Sequence, residues 1–238
     1  MSRITAESAA RAAPDEPLEA DSGHSVVRVG RVESTVVAVR DPASATTQHL
    51  RAVATRLMVG PRAQKARMFA VTSPDRGDGR SFAAANLAAI FAQAGRRTVL
   101  IDADFHSPQQ HNLFLCEPGP GLAALIHGRA DWQAMRSVDD VPGLSLIPAG
   151  EQAIADPMAL TRENFGVLLE RLRERVDQVV IDTPPGIAYA DAQAIAAHAG
   201  ATVMVVRRNA TRLSAANSLT ARMRAVGADV LGTIFNRR

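Results

Sequence analysis

Lysine is almost missing from this chain of 238 residues: of its 27 basic residues only Lys65 is a lysine, and the rest are arginines. A bias that general points to pressure on the whole sequence, so no arginine can be read as locally selected on its identity alone. Aromatic residues make up 4%, so the core must be aliphatic. One cysteine, Cys116, excludes an internal disulfide, fits a reducing compartment, and reads as a buried or idle thiol. No apolar run approaches the roughly 18 residues of a membrane span, and no basic segment followed by an apolar stretch opens the chain. Neither export nor membrane spanning is indicated, and a cytoplasmic protein is expected. Net charge is only +3. The end of the chain is locally basic, however, with Arg207, Arg208, Arg212, Arg222, Arg224, Arg237 and Arg238 against Asp229. That face could meet anionic lipid or nucleic acid, or it could be a solvated surface. Without aromatic interleaving, nucleic acid is not the expected partner.

What is present is 47% hydrophobic and 21% charged, a balance suited to one globular domain. Residues 1 to about 24 lack any sustained apolar period and read as disordered. Residues 25–40 alternate enough for short strands before Asp41-Pro42 breaks the pattern, so 1–41 is expected to be a disordered or loosely attached arm. The domain proper is expected over 42–238. It opens with a helix from Thr46 that carries Leu50, Val53, Ala54 and Leu57 on one face and ends at Gly60-Pro61.

Strand-like and helix-like segments then alternate: MFAVTS, a glycine loop and a helix to Gly95; TVLIDAD; LSLIPAG and a helix to Arg175; VVIDTPP and a helix to His198. TVMVV, a helix over 214–226 and VLGTIFN complete the series. Runs such as Thr98-Val99-Leu100-Ile101 and Gln178-Val179-Val180-Ile181 have no polar face, as in strands buried between two helical layers. The expected fold is α/β, a doubly wound and mostly parallel sheet with helices on both faces. Ligands should lie at the carboxyl ends of its strands.

The first of those ends carries TSPDRGDGRS, residues 72–81, between a strand and a helix. In a phosphate-binding loop, backbone N–H groups at a helix N-terminus cradle phosphates, a lysine bridges them, and the next Ser or Thr holds Mg²⁺. Gly77, Gly79 and Ser81 fit that pattern. Pro74 stands where the first glycine belongs and Arg80 where the lysine belongs, so an ordinary glycine turn is the competing reading. Two further strands end in acids: Asp102 and Asp104 in VLIDAD, expected on one side if the strand extends that far, and Asp182 in VVIDTPP. Such carboxylates can bind Mg²⁺ or its water shell, and a second acid can take a proton from an attacking hydroxyl. Taken singly, each could be a helix cap or a turn residue.

Together, TSPDRGDGRSFAAANLA, VLIDADFHSP and VVIDTPP resemble the three nucleotide motifs of the cytoplasmic bacterial tyrosine kinases of capsule and exopolysaccharide synthesis. ADPMAL, YADAQAIA and VLGTIFN resemble further landmarks, so the likeness runs from about Pro42 to Asn236. It implies a P-loop NTPase architecture of the MinD/ParA type, with ATP and Mg²⁺ as cofactors. The nucleotide would be held by Pro74, Asp75, Arg76, Gly77, Asp78, Gly79, Arg80, Ser81 and Phe82, with Asn236 near the adenine. Ser81 and Asp102 would coordinate Mg²⁺, Asp182 would act on the metal's water shell, and Asp104 would be the catalytic base. A membrane-anchored chain-length determinant is the implied partner, with a homo-oligomer as a further expectation.

The chain departs from that family in several places. Arg80 keeps the charge of the loop lysine in a wide planar group, and Phe82 replaces a small hydroxyl residue. His106 stands where arginine is common, which makes one positive contact conditional on pH or else leaves a surface histidine. The leading helix resembles the family's oligomerisation motif, an acid followed at three-residue spacings by two arginines, but reads Gln48, Arg51, Ala54, with Arg56 on another face. The sequence stops two residues after Asn236, before any tyrosine cluster, and its one tyrosine, Tyr189, reads as a packing residue, so an acceptor is expected on another protein. Two alternatives stand beside a kinase-like ATPase: a pseudokinase that binds nucleotide without chemistry, and a partitioning or positioning ATPase. The latter generally carries an extra loop lysine, where this chain has Asp75 and Arg76.

Overall fold

The computed structural model describes residues 27–130, 134–151 and 158–237. The expectation of disorder over 1–24 and the first half of ADPMAL lie outside them.

The apolar runs become strands and the amphipathic stretches cover them. A short strand β1 (Val27–Val29) and a one-turn helix α1 (Val37–Arg40) precede α2 (Ala45–Val59), which Ser44 caps by accepting from the Thr47 N–H. The five residues of β2 (Met68–Thr72) are all buried. The glycine loop comes next, and α3 (Arg80–Gln93) buries most of its length because its alanines let it lie close on the sheet. Then come β3 (Thr98–Asp102), α4 (Gln110–Leu113), α5 (Gly121–Ile126), β4 (Arg136–Val138) and β5 (Leu144–Ile147). The last third alternates α6 (Glu163–Arg175), β6 (Gln178–Asp182), α7 (Asp191–Ala199), β7 (Ala201–Arg207), α8 (Leu213–Ala225) and β8 (Asp229–Asn236).

The eight strands form one sheet in the order β1-β4-β5-β3-β6-β2-β7-β8, parallel at every pairing except β4 with β5. Two aliphatic clusters flank it. One packs Phe165, Leu172, Ile195 and Leu219 against Ile101 and Ile181; the other packs Leu87, Phe91 and Leu50 against Phe69, Leu100 and Val180. The doubly wound, mostly parallel α/β architecture expected from the buried runs is therefore present. Strand order decides where the chemistry lies: β2 sits between β6 and β7, so the glycine loop at its carboxyl end is flanked by the ends of both neighbours.

The arm is where the expectation fails. Residues from Val27 onward belong to the domain: β1 extends the sheet beside β4, and Val29, Val32, Val36 and Ala38 are buried. Buried Asn86 of α3 explains the attachment. Its amide oxygen accepts from the Ala38 N–H at 2.9 Å and its amide nitrogen donates to the Thr35 carbonyl at 3.1 Å. Gln93 donates to the Ala38 carbonyl at 3.0 Å. On α2, Leu50 and Ala54 are buried with Val53 and Leu57 packed beside them, as the helical spacing required.

Candidate functional site

The loop between β2 and α3 depends on two glycines with positive φ, Gly77 at 83° and Gly79 at 99°, a region that costs residues with a Cβ. Gly79 is also crowded: a Cβ there would lie 2.5 Å from the Asn236 side-chain nitrogen. Asp78 is 2% exposed and fastens the loop from below. Its Oδ2 accepts from the Asp75 N–H at 3.0 Å and its Oδ1 from the Thr211 hydroxyl at 2.8 Å. Asn236 donates to the Asp78 carbonyl at 3.0 Å, so this side chain braces the loop. Pro74 is buried at the loop's start, while Asp75, Arg76 and Gly77 are exposed. Arg76 donates to the Ser107 hydroxyl at 2.6 Å.

Arg80, the first residue of α3, points into the protein and is only 6% exposed. Its Nε donates to the Thr183 carbonyl at 2.8 Å, and its Nη1 donates to the Ser73 hydroxyl at 2.7 Å and the Asp75 carbonyl at 2.9 Å. Nη2 pairs with the Asp104 carboxylate at 3.5 Å. A guanidinium has five N–H donors, and these contacts use four of them. In this arrangement Arg80 is a strut joining the loop, the end of β6 and the acid after β3.

The three acids differ in their surroundings. Asp102 and Asp182 face each other in register on neighbouring strands, fully buried. Asp102 accepts from the backbone N–H groups of Asp104, Gln109 and Gln110 at 3.2, 3.0 and 2.9 Å. Burial, and then the Asp182 charge, still push its carboxyl well above the ordinary value. Asp182 is raised by burial to about 6, against the opposing pull of the Ser81 hydroxyl, Arg80 and Gln110. Its Oδ2 accepts from the Gln110 amide at 2.7 Å, while its Oδ1 is buried with no hydrogen-bond partner. β3 ends at Asp102, so the alternation expected to carry on to Asp104 stops. Asp104 sits in the next turn, with Oδ1 accepting from the N–H groups of His106 and Ser107 at 3.2 and 2.9 Å.

Beside the loop lies a cavity of about 470 Å³, bordered by loop residues 74–77 and 79–82, by Asp104, His106, Ser107 and Gln109, and by Pro185 and residues 187–189. Phe82 is in that border and half packed against the core. His106 meets Asp191 of α7 at 2.6 Å and stacks on the Tyr189 ring with centroids 3.7 Å apart. Tyr189 is thus a packing partner at the cavity's edge.

Gln110 escaped the sequence reading. Its amide nitrogen spans the Ser81 carbonyl at 3.1 Å and Asp182, while its Oε1 is buried without a partner. A glutamine six residues after Asp104 belongs to no spacing rule; only the close approach of α4 to β6 reveals it. The donor set suits Mg²⁺, which takes hard oxygen ligands, one or two carboxylates and several waters. Asp182 Oδ1, buried without a hydrogen-bond partner on a side chain that also feels the Ser81 hydroxyl, is an oxygen left for such an ion, and Asp102 is paired in register with Asp182 on the neighbouring strand.

The chain is similar to known proteins. The ParA family model, described as the NUBPL iron-transfer P-loop NTPase, matches residues 64–237. The tyrosine-protein kinase ptk of Acinetobacter johnsonii is 29% identical over 84% of this chain, which spans only 27% of that protein's length. The tyrosine-protein kinase YwqD of Bacillus subtilis strain 168 is 27% identical, over 88% of each chain. Among solved structures, the chimerical protein CapA2B2 superposes with a TM-score of 0.79 at 27% identity, covering 92% of this chain and 97% of the other. This chain belongs to the ParA-type P-loop NTPase family, and proteins named bacterial tyrosine-protein kinases are among its relatives.

Proposed function

We propose that this chain is an ATP- and Mg²⁺-binding, tyrosine-kinase-like domain that transfers the terminal phosphoryl group of ATP to a hydroxyl on another protein or to water. The observation that carries the reading is convergence: a glycine loop opening a helix at the end of β2, and three acids at the ends of β3 and β6. The N–H groups of Gly77 to Ser81 would receive the phosphates. Ser81 and Asp182, with Asp102 behind them, would hold Mg²⁺, which supplies charge neutralisation at the transferring group. Asp104 would accept the proton of the attacking hydroxyl, with its Oδ1 oriented by two backbone N–H groups. By the family resemblance, the domain would regulate exopolysaccharide or capsule polymerisation and export with a membrane-anchored chain-length determinant, at the inner membrane. Among the described residues no helix is long and apolar enough to cross a membrane. Incubation with labelled ATP should yield ADP or labelled acceptor with the natural chain and neither with Asp104→Ala; equal turnover by both removes Asp104 from the reaction.

One observation favours a second reading, a pseudokinase that binds nucleotide and shapes an assembly without chemistry. Arg80 occupies the Asp104 Oδ2 oxygen and spends most of its donors on the protein. Arg80→Lys separates the two: turnover that appears only in the lysine form supports the pseudokinase, and equal turnover supports the kinase.

A further inference from the structure

Arg80 is turned inward and spends four of its five donors on the protein, which leaves a place for a further cation beside the loop. We propose that Arg207 is a phosphate-binding residue of this site and supplies the cationic arm that the loop lysine would otherwise provide. Strand order puts it within reach. The loop rises from β2, which has β6 on one side and β7 on the other. The β6 side presents the acids and Thr183. The β7 side ends in Arg207, whose Nη1 lies 3.8 Å from the position a Cβ would take on Gly77. The guanidinium therefore lies beside Gly77, in the exposed stretch of the glycine loop.

The placement is braced. Arg207 donates its backbone N–H to the Thr211 hydroxyl at 2.8 Å, and its carbonyl accepts from the Thr211 N–H at 3.0 Å. Thr211 in turn donates to Asp78 at 2.8 Å, inside the loop. The arginine's backbone and the phosphate loop thus form one hydrogen-bonded unit, in which Thr211 sets the distance between them. Among the described residues no carboxylate pairs with the Arg207 guanidinium, and its side chain is exposed. An exposed cation beside the glycine loop, with no carboxylate partner among the described residues, matches a di- or triphosphate lying across the loop, with the candidate Mg²⁺ oxygens on one flank and arginine on the other.

This inference rests on the nucleotide reading, so the test separates them. ATP, ADP and adenosine are titrated calorimetrically, with Mg²⁺ at two salt concentrations, into the natural chain, Arg207→Ala and Arg207→Lys. The proposal expects Arg207→Ala to weaken ATP and ADP by about tenfold or more, the size of a lost charge-assisted contact, and to leave adenosine unchanged. The lysine form should recover most of the loss, and the alanine form should show a shallower salt dependence. Thermal unfolding without nucleotide should be the same for all three, because the side chain is exposed. Natural-strength ATP binding by Arg207→Ala, with the natural salt dependence, overturns the inference and leaves the nucleotide reading standing. Failure of the natural chain to bind ATP overturns both.

Discussion

The Arg80 Nη2 and Asp104 Oδ2 atoms lie 3.5 Å apart inside the site, on side chains only 6% and 3% exposed. Removing one member of a buried pair leaves the other charge without compensation, which typically costs about 3–5 kcal/mol. Arg80→Ala should therefore destabilise the fold by that order in urea unfolding. Arg80→Lys should cost less, because one ammonium can keep part of the contact set. An alanine variant with the natural midpoint would mean that Arg80 does not brace the site.

Gln110→Leu tests the amide between Ser81 and Asp182. It removes the donor to Asp182 Oδ2 and leaves a buried acceptor unmet, a loss of roughly 1–3 kcal/mol. Mg²⁺ should bind less tightly as Asp182 loses its orientation. If unfolding and Mg²⁺ titration both match the natural chain, Gln110 is only a filler of space.

The buried acids make the metal-free protein sensitive to pH in a defined direction. Asp182 in the folded chain keeps its proton up to about 6, whereas its ordinary value is 3.8. Between those values the folded state binds more protons than the unfolded one, so stability falls as pH rises. It is fully present below the lower value and lost through the upper. Asp102 is shifted the same way. In EDTA, Asp182→Asn should flatten this slope and unfold at higher denaturant than the natural chain at pH 7. A natural chain that gains stability across that window would contradict the assignment.

Gly79→Ala meets two obstacles, a φ of 99° and a Cβ position 2.5 Å from the Asn236 nitrogen. It should weaken nucleotide binding and lower the unfolding midpoint. Adding Asn236→Ala should recover part of the loss, by relieving the clash while leaving the backbone strain. Strictly additive losses would show that Asn236 does not press on the loop.

Elements buried on both faces were readable because an uninterrupted aliphatic run has few other uses. β2, β3, β6 and β7 are such runs, and α2 was readable from the spacing of Leu50, Val53, Ala54 and Leu57. The attachment of residues 27–40 was not. Val27 is 48% exposed, β1 has three residues, and the grip comes from Asn86, some fifty residues away. At the candidate site, the glycines and acids could be singled out by type and order. The inward turn of Arg80 did not, because it depends on the Thr183 carbonyl arriving from β6, and the His106–Asp191 pair joins residues 85 apart. The spacing of Asp102 and Asp104 suggested one shared face, but a strand that ends at Asp102 gives each acid its own environment.

Nucleotide held through a metal at Asp182 is tested most directly by calorimetric titration with ATP, in Mg²⁺ and in EDTA, of the natural chain and Asp182→Asn. The expected result is saturable binding to the natural chain that tightens with Mg²⁺, and binding to Asp182→Asn that no longer responds to the metal. Absence of binding, or affinity that ignores Mg²⁺ in the natural chain, would contradict it.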